Sequence, residues 1–241
     1  MKYLTYLFVF VLLSFSSIPT YEKSDLLGKF SPETHKKFSR VSAEYCDRDI
    51  HLRKEVNSAF VKMAKAARKE GIDLRIISGT RNFTRQTEIW QGKWETFKGS
   101  DLEKAEEILL YSSMPGTSRH HWGTDFDLNS LEPDYFESGR GAKIYAWLDS
   151  NAWKFGFFQP YYKLGEERAA GYKEEKWHWS YYPIANQLLK AYNNLIEYKD
   201  INGFDGSELS DSLDVFDNYV NAVYVPRNLE YQVVRNRYLN K

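Results

Sequence analysis

The chain has 241 residues, of which 42% are hydrophobic and 17% aromatic, which is enough for one well-packed core but too little for two full domains. Its 33 basic and 33 acidic residues balance, so no net charge attracts it to nucleic acid or to an anionic membrane surface. A single cysteine, Cys46, excludes a disulfide within the chain. Because Asp47 follows it and would raise its pKa, Cys46 is expected to be a small buried residue and not a thiol nucleophile.

Residues 1–20 have the layout of a secretory signal. Lys2 precedes a short apolar run over residues 7–13, and small and turn-forming residues follow over 14–20. The run is too short to span a membrane comfortably. We expect cleavage near residues 17–21, export to the periplasm or cell surface, and no stable membrane insertion of the mature chain; an uncleaved anchor is the alternative.

The remaining residues, 21–241, predict one domain of helices and short strands in mixed order. The order lacks a strand–helix–strand rhythm, which favours an α+β fold with a small antiparallel sheet flanked by helices. Apolar spacing, Gly71 and an Asn82 cap mark several of the helix boundaries. Helices are predicted from Ser31 and Pro32, over 49–70, after Asn82, over 141–155 and 183–198, and near 213–223. Strands are predicted over 74–78, 124–128, 157–159 and 176–180.

Residues able to carry chemistry concentrate in two segments, 118–127 and 175–178, which place histidines beside carboxylates and aromatic rings. A zinc hydrolase needs three protein ligands, an open position for water and a free carboxylate that accepts the proton. The two segments could supply all of these groups. The alternative is a hydrogen-bonded, half-buried cluster without metal, since the chain has neither a His-Glu-x-x-His helix nor paired cysteines.

The spacing within these segments leaves some assignments open. Asp125 and Asp127 face the same side of the predicted strand, so either could reach a metal while the other hydrogen-bonds behind it. On one extended strand, Glu175 and His178 would face opposite sides. Glu175 is therefore expected at a bend or before the strand begins.

Three ordered motifs resemble those of the LAS zinc peptidases, which have a hedgehog-like fold. They are Ser78-Gly79-Thr80-Arg81 followed by Gln86, then Ser118-x-His120-x-x-Gly123-x-x-x-Asp127, then Glu175-x-Trp177-His178. The nearest branch is the bacterial D-alanyl-D-alanine carboxypeptidases of the VanY type. The resemblance covers roughly residues 49–182, leaving a helical extension over 183–241, and it implies a catalytic zinc ion and peptidoglycan stem peptides as substrate.

The resemblance also implies roles for individual residues. His120 is then the ligand in preference to His121, and Glu175 the general base in preference to Glu174. Asp125 departs from the family, in which alanine is common at this position. The implied zinc ligands are His120, Asp127 and His178, the implied catalytic residues are Glu175 and Arg81, and Arg81, Gln86 and Ser118 are the implied substrate-binding residues.

The activity that the resemblance implies is zinc-dependent removal of a C-terminal D-alanine. Arg81 would hold either the terminal carboxylate of the substrate or the oxyanion. An endopeptidase on the same scaffold and a wall-binding module with a structural zinc are the alternatives, and Glu175 argues against the second. The preference for D,D or L,D peptides and the oligomeric state stay open.

Overall fold

The computed structural model describes residues 21–227 and residue 229. The predicted signal over residues 1–20 and the end of the predicted extension lie outside these residues. Within the described part of the chain, no helix is both long enough and apolar enough to cross a membrane.

The described residues form six α-helices and six short strands, together with several single turns of tighter or wider helix. The helices are α1 (Lys23–Leu26), α2 (Lys54–Lys69), α3 (Phe83–Thr96), α4 (Asp101–Ile108), α5 (Gly139–Asn151) and α6 (Tyr182–Leu195). The strands are β1 (Phe38–Arg40), β2 (His51–Arg53), β3 (Ile76–Ser78), β4 (Asp125–Leu128), β5 (Phe157–Phe158) and β6 (His178–Tyr181).

The strands form two antiparallel sheets, which confirms the predicted α+β fold. β1 pairs with β2, and the larger sheet has the order β3-β4-β6-β5. All four residues of β4 are buried. β4 pairs with β6 so that Asp127 lies opposite His178 and Asp125 lies opposite Ser180. This register brings the two chemistry-bearing segments of the sequence side by side.

Two hydrophobic cores support this sheet and the helices around it. The first packs α2 and α5 against the larger sheet, and within it the Phe60 and Phe126 rings meet edge to face at 5.3 Å. Cys46 belongs to this core, as expected. The second core joins α3, α4 and α6 through side chains that include Trp90 and Tyr192. The segment after residue 182 thus contributes directly to the second core.

Two predicted helices differ from the observed structure. The helix predicted from Ser31 is wrong: its residues form a single turn, closed by the His35 amide donating to the Ser31 carbonyl at 3.1 Å. The helix predicted from residue 49 begins only at Lys54, because residues 51–53 pair with β1 instead. Only at the second of these places does a strand pairing override the local helical signal.

Two further elements also differ from the prediction. The helix α4 was not predicted, although Ser100 and Glu103 form a capping box at its start. The helix predicted near 213–223 is only one wide turn over Phe216–Val220. The remaining predicted helices and strands are present, with ends shifted by a few residues.

Candidate metal centre

A sharp reversal of the chain places His120 next to Asp127. His120 lies on a single turn of 3-10 helix, Arg119–Trp122, which ends at Gly123. Gly123 has a left-handed backbone with φ +67°, and a Cβ atom added there would lie 2.2 Å from Cε1 of Phe38. Glycine therefore permits both the turn and the close packing that lead into β4, which carries Asp127.

The second segment supplies His178 and Glu175 from the neighbouring strand. His178 is the first residue of β6, and its amide donates to the Glu175 carbonyl at 3.2 Å. Glu175 therefore lies on a turn before the strand, as the sequence predicts. The turn allows both side chains to approach Asp127.

The side chains of His120, Asp127 and His178 form a buried group whose donor atoms lie within 4.8 Å of one another. Nε2 of His120 and Nδ1 of His178 each lie 3.5 Å from Oδ1 of Asp127. Nε2 of His120 and Oδ1 of Asp127 have no hydrogen-bond partner among the described residues. Buried polar atoms are rarely left without partners, so two nitrogens and one oxygen converging here fit a divalent metal such as zinc.

In His120 and His178, the ring nitrogen that faces away from the donor group lies within hydrogen-bond distance of an oxygen atom. Nδ1 of His120 lies 2.8 Å from the Gly79 carbonyl oxygen, and Nε2 of His178 lies 3.0 Å from Oδ2 of Asp125. When these outer nitrogens donate, the inner nitrogens keep free lone pairs directed at the centre. Both histidines are therefore oriented as metal ligands usually are.

Asp125 lies behind His178 and not in the donor group. Besides His178, it accepts hydrogen bonds from Nε of Arg119 at 2.9 Å and from Oγ of Ser180 at 2.9 Å. Arg119, itself buried, also donates to Ser180 at 2.7 Å. Of the two arrangements that the spacing left open, the structure shows Asp127 inside the group and Asp125 behind it. The contribution of Arg119 was not predicted, because no local pattern marks this arginine as buried.

Glu175 supplies a carboxylate next to the donor group. Its Oε2 atom lies 3.1 Å from Nδ1 of His178, and its side chain is buried. Burial raises the pKa of Glu175, although the neighbouring His178 acts in the opposite direction. A carboxylate of raised pKa is well suited to take and return a proton near neutral pH.

The donor group opens onto a cleft of about 820 Å³ that Arg81, Asp127, Glu175 and Trp177 help to line. Nε of Arg81 is buried without a hydrogen-bond partner among the described residues. The cleft is therefore lined by a cation and a carboxylate as well as by Asp127 of the candidate centre.

Gln86 and Ser118 are not among the residues that line this cleft. Both are buried, and Oε1 of Gln86 and Oγ of Ser118 have no hydrogen-bond partner within the described chain. Nε2 of Gln86 donates to the Ser113 carbonyl at 2.8 Å. Their predicted contact with substrate stays a prediction.

His121 lies outside the donor group and bonds to backbone on both sides. Its Nε2 accepts from the Gly116 amide at 3.0 Å, and its Nδ1 lies 2.6 Å from the Arg81 carbonyl oxygen. Burial, together with the charges of Arg81 and His120, lowers the pKa of His121 to about 3, although the bond to the Arg81 backbone opposes this. A neutral His121 thus holds the Arg81 backbone in place.

Three buried donors, an adjacent carboxylate and an open cleft define the class of mononuclear metal-dependent hydrolase sites. The family model of the VanY D-alanyl-D-alanine carboxypeptidases matches residues 49–184. The chain belongs to this family, in agreement with the resemblance of its three motifs.

Two curated relatives and one solved structure illustrate the similarity. YodJ of Bacillus subtilis, which carries a provisional carboxypeptidase name, is 33% identical over 167 residues, or 67% of this chain and 54% of the relative. A D-alanyl-D-alanine carboxypeptidase of Enterococcus faecalis is 33% identical over 122 residues, or 49% of this chain and 44% of the relative. The chain thus spans about half the length of these relatives.

The fold is also similar to the solved structure of the LD-carboxypeptidase LdcB. The match has a TM-score of 0.52 at 22% identity and covers 80% of this chain and 81% of that one. At this identity the similarity supports the α+β architecture alone.

Proposed function

We propose that the chain is a zinc-dependent carboxypeptidase that removes the C-terminal D-alanine of peptidoglycan stem peptides outside the cytoplasmic membrane. The observation that carries the proposal is the buried donor group of His120, Asp127 and His178, which opens onto a cleft beside Glu175 and Arg81. The family of the chain supports the choice of substrate.

Each residue of the site has a chemical role in this proposal. Zinc, when bound by His120, Asp127 and His178, makes water a better nucleophile near neutral pH and polarises the scissile carbonyl. Glu175 accepts the proton of the attacking water and returns it to the leaving amine. Arg81 contributes a permanently charged, planar donor group for an anion of the substrate or of the transition state.

The position of Glu175 favours a catalytic centre over a structural zinc. A structural zinc normally has four protein ligands and no open position. Here three donors converge, and the fourth nearby side chain is a buried carboxylate that also lines the cleft. A non-catalytic wall-binding module would have no use for this group.

The decisive experiment is to incubate the purified protein with a stem pentapeptide ending in D-Ala-D-Ala. We expect release of free D-alanine, its loss after treatment with a chelator, and its recovery when zinc is added back. A stem peptide ending in a single D-alanine and a cross-linked stem dimer serve as comparison substrates. Zinc-dependent cleavage of the dimer alone would instead indicate an endopeptidase, and the absence of any zinc-dependent cleavage would refute the proposal.

A further inference from the structure

Helix α3 places a further cation, Lys93, in the same cleft as Arg81 and Glu175. Lys93 follows Gln86 by seven residues, or two helical turns, so both side chains project from one face of α3. The side chain of Lys93 is half-buried, and its ammonium group donates to Oγ of Ser112 at 2.6 Å. Lys93 therefore lies on the wall of the cleft and is partly shielded from bulk solvent.

Lys93 has no acidic partner within the part of the chain that the structure describes. None of the ion pairs closer than 4.0 Å involves it, whereas Arg85, on the same helix and also lining the cleft, pairs with Glu88 at 2.7 Å. The oxygen that Lys93 contacts belongs to a neutral hydroxyl. Its positive charge is therefore not neutralised by a direct partner.

The surroundings disfavour this charge when no anion contacts the ammonium group. Burial lowers the pKa of Lys93, and the nearby charge of Arg81 lowers it further, while Glu175 acts in the opposite direction. A half-buried ammonium group without a direct anionic partner is energetically unfavourable, although carboxylates such as Glu175 line other parts of the cleft. A carboxylate next to the ammonium group would remove this penalty and form a charge-assisted hydrogen bond.

We propose that Lys93 binds a carboxylate of the substrate, at a position separate from the one served by Arg81. The cleft then selects peptides with an anionic group close to the scissile bond, and Arg81 is free to stabilise the oxyanion. The inference rests on the proposed peptidase function. Two sources of the carboxylate share this chemistry: the free C-terminus of the peptide and the side chain of an acidic residue within it.

The competing explanation is that Lys93 only fastens residues 112–113 to α3. Gln86 does this from the same helix face, since its amide donates to the Ser113 carbonyl at 2.8 Å. A purely structural lysine would affect all substrates equally. A carboxylate-binding lysine would affect only those substrates that carry the carboxylate.

The test compares four stem peptides that differ only in their acidic groups. The C-terminus is either a carboxylate or a carboxamide, and an internal residue is either glutamate or glutamine. We would measure kcat and KM for the zinc-loaded wild type, Lys93→Gln, Lys93→Arg and the control Lys98→Gln. Lys98 is exposed and does not line the cleft, so its substitution removes the same charge elsewhere.

For one of the two positions, we expect the wild type to cleave the peptide with the carboxylate with a kcat/KM about 10- to 100-fold higher than that for the neutral counterpart. This is the usual contribution of a hydrogen bond to a charged group. Lys93→Gln should lose this preference, mainly through a higher KM. Lys93→Arg, which keeps the charge, should restore much of it, and Lys98→Gln should behave as the wild type does. The carboxylate whose preference disappears identifies the source.

An unchanged preference in Lys93→Gln, or an equal loss on all four peptides, would overturn the inference. Thermal denaturation of each variant shows whether the loss comes from misfolding, and Lys93→Arg separates charge from packing. If the wild type cleaves none of the peptides, the proposed peptidase function fails. Calorimetric titration of the same peptides into wild type and Lys93→Gln then tests carboxylate binding directly, and equal affinities would overturn it.

Discussion

The two histidines of the candidate centre use different ring nitrogens. His120 directs Nε2 inward because its Nδ1 faces the Gly79 carbonyl, whereas His178 directs Nδ1 inward because its Nε2 faces Asp125. A neighbouring histidine, His121, has both nitrogens engaged by backbone groups and none left for a metal. Hydrogen bonding at single atoms therefore separates ligands from supporting residues.

This difference predicts opposite effects of two adjacent substitutions. His120→Ala should remove stoichiometric zinc, because the chain loses one of three donors. His121→Ala should keep zinc but lower the free energy of unfolding by about 1–3 kcal/mol, because buried backbone groups lose their partners. Metal analysis and thermal denaturation would measure both effects. Zinc loss in His121→Ala alone would mean that the assignment of the ligands is off by one residue.

Glu175 should be needed for turnover but not for metal binding. Glu175→Gln keeps the size of the side chain and removes its ability to take a proton. We expect zinc to stay bound and the rate to fall by about 10²- to 10⁴-fold, the usual contribution of a general base. Zinc content and turnover of a D-Ala-D-Ala peptide should be measured on the same sample. The adjacent Glu174→Gln is the matched control, and normal activity in Glu175→Gln would eliminate this role.

Asp125 should control how tightly zinc is held, although it is not in the donor group. It orients His178 and is itself held by Arg119 and Ser180. Asp125→Asn should weaken zinc binding by about 10- to 100-fold, as substitutions of such supporting carboxylates usually do. Competition with a chelator measures the affinity without reference to activity. Ser180→Ala, which removes only one bond to Asp125, should have a smaller effect, and equal affinity in wild type and Asp125→Asn would contradict the prediction.

At the scale of elements, the turn at Gly123 determines how His120 is positioned relative to Asp127 on β4. Gly123→Ala should destabilise the protein both through its left-handed backbone and through contact with Phe38. Gly71→Ala is a matched control, since Gly71 has a similar φ of +76° but no atom within 4 Å of an added Cβ. We expect about 1–2 kcal/mol of destabilisation for Gly71→Ala, and a further ~1–3 kcal/mol for Gly123→Ala.

Chemical denaturation would give both free energies of unfolding, and metal analysis would show whether zinc affinity falls in Gly123→Ala only. Equal destabilisation of the two variants would show that the contact with Phe38 contributes nothing.

The elements that the sequence predicts correctly are those with strong local signals. Asn82 caps α3 with its side chain, and Gly71 follows the end of α2 with a left-handed backbone, as predicted. The helix at Ser31 was wrongly predicted because a cap and a proline favour a first turn but do not supply a buried face to continue it. The missed helix α4 has a complete capping box, so Ser100 and Glu103 were an available signal.

In the candidate site, too, the sequence predicts contacts between residues that are close in the chain but not contacts between distant ones. The spacing from His120 to Asp127 is short, so the motif alone predicts that they lie close together. The contacts of Asp125 with His178, 53 residues away, and of Lys93 with Ser112, 19 residues away, depend on how the elements pack. Such contacts leave no periodic pattern in a single sequence and emerge only from the tertiary structure.

At the scale of the whole molecule, the segment after residue 182 is connected to the site by hydrogen bonds. Tyr192 of α6 donates its hydroxyl to the Gly116 carbonyl at 3.0 Å. The Gly116 amide donates to His121, whose other nitrogen faces the Arg81 carbonyl. A series of contacts therefore runs from α6 to the backbone of Arg81, which lines the cleft.

This series predicts that removing a single hydroxyl group in α6 changes both the stability of the fold and the binding of substrate at the site. Tyr192→Phe leaves the ring packed in the second core but deprives the buried Gly116 carbonyl of its donor. We expect the free energy of unfolding to fall by about 1–3 kcal/mol, which corresponds to a Tm lower by about 2–12 °C for a chain of this size. KM should also rise, because the support of the Arg81 backbone is loosened. Tyr198→Phe is the matched control: it removes an exposed hydroxyl bond to Asp214 at 2.8 Å and should change neither quantity measurably. Equal melting temperatures and equal KM values for Tyr192→Phe and Tyr198→Phe would show that α6 supports the site by packing alone.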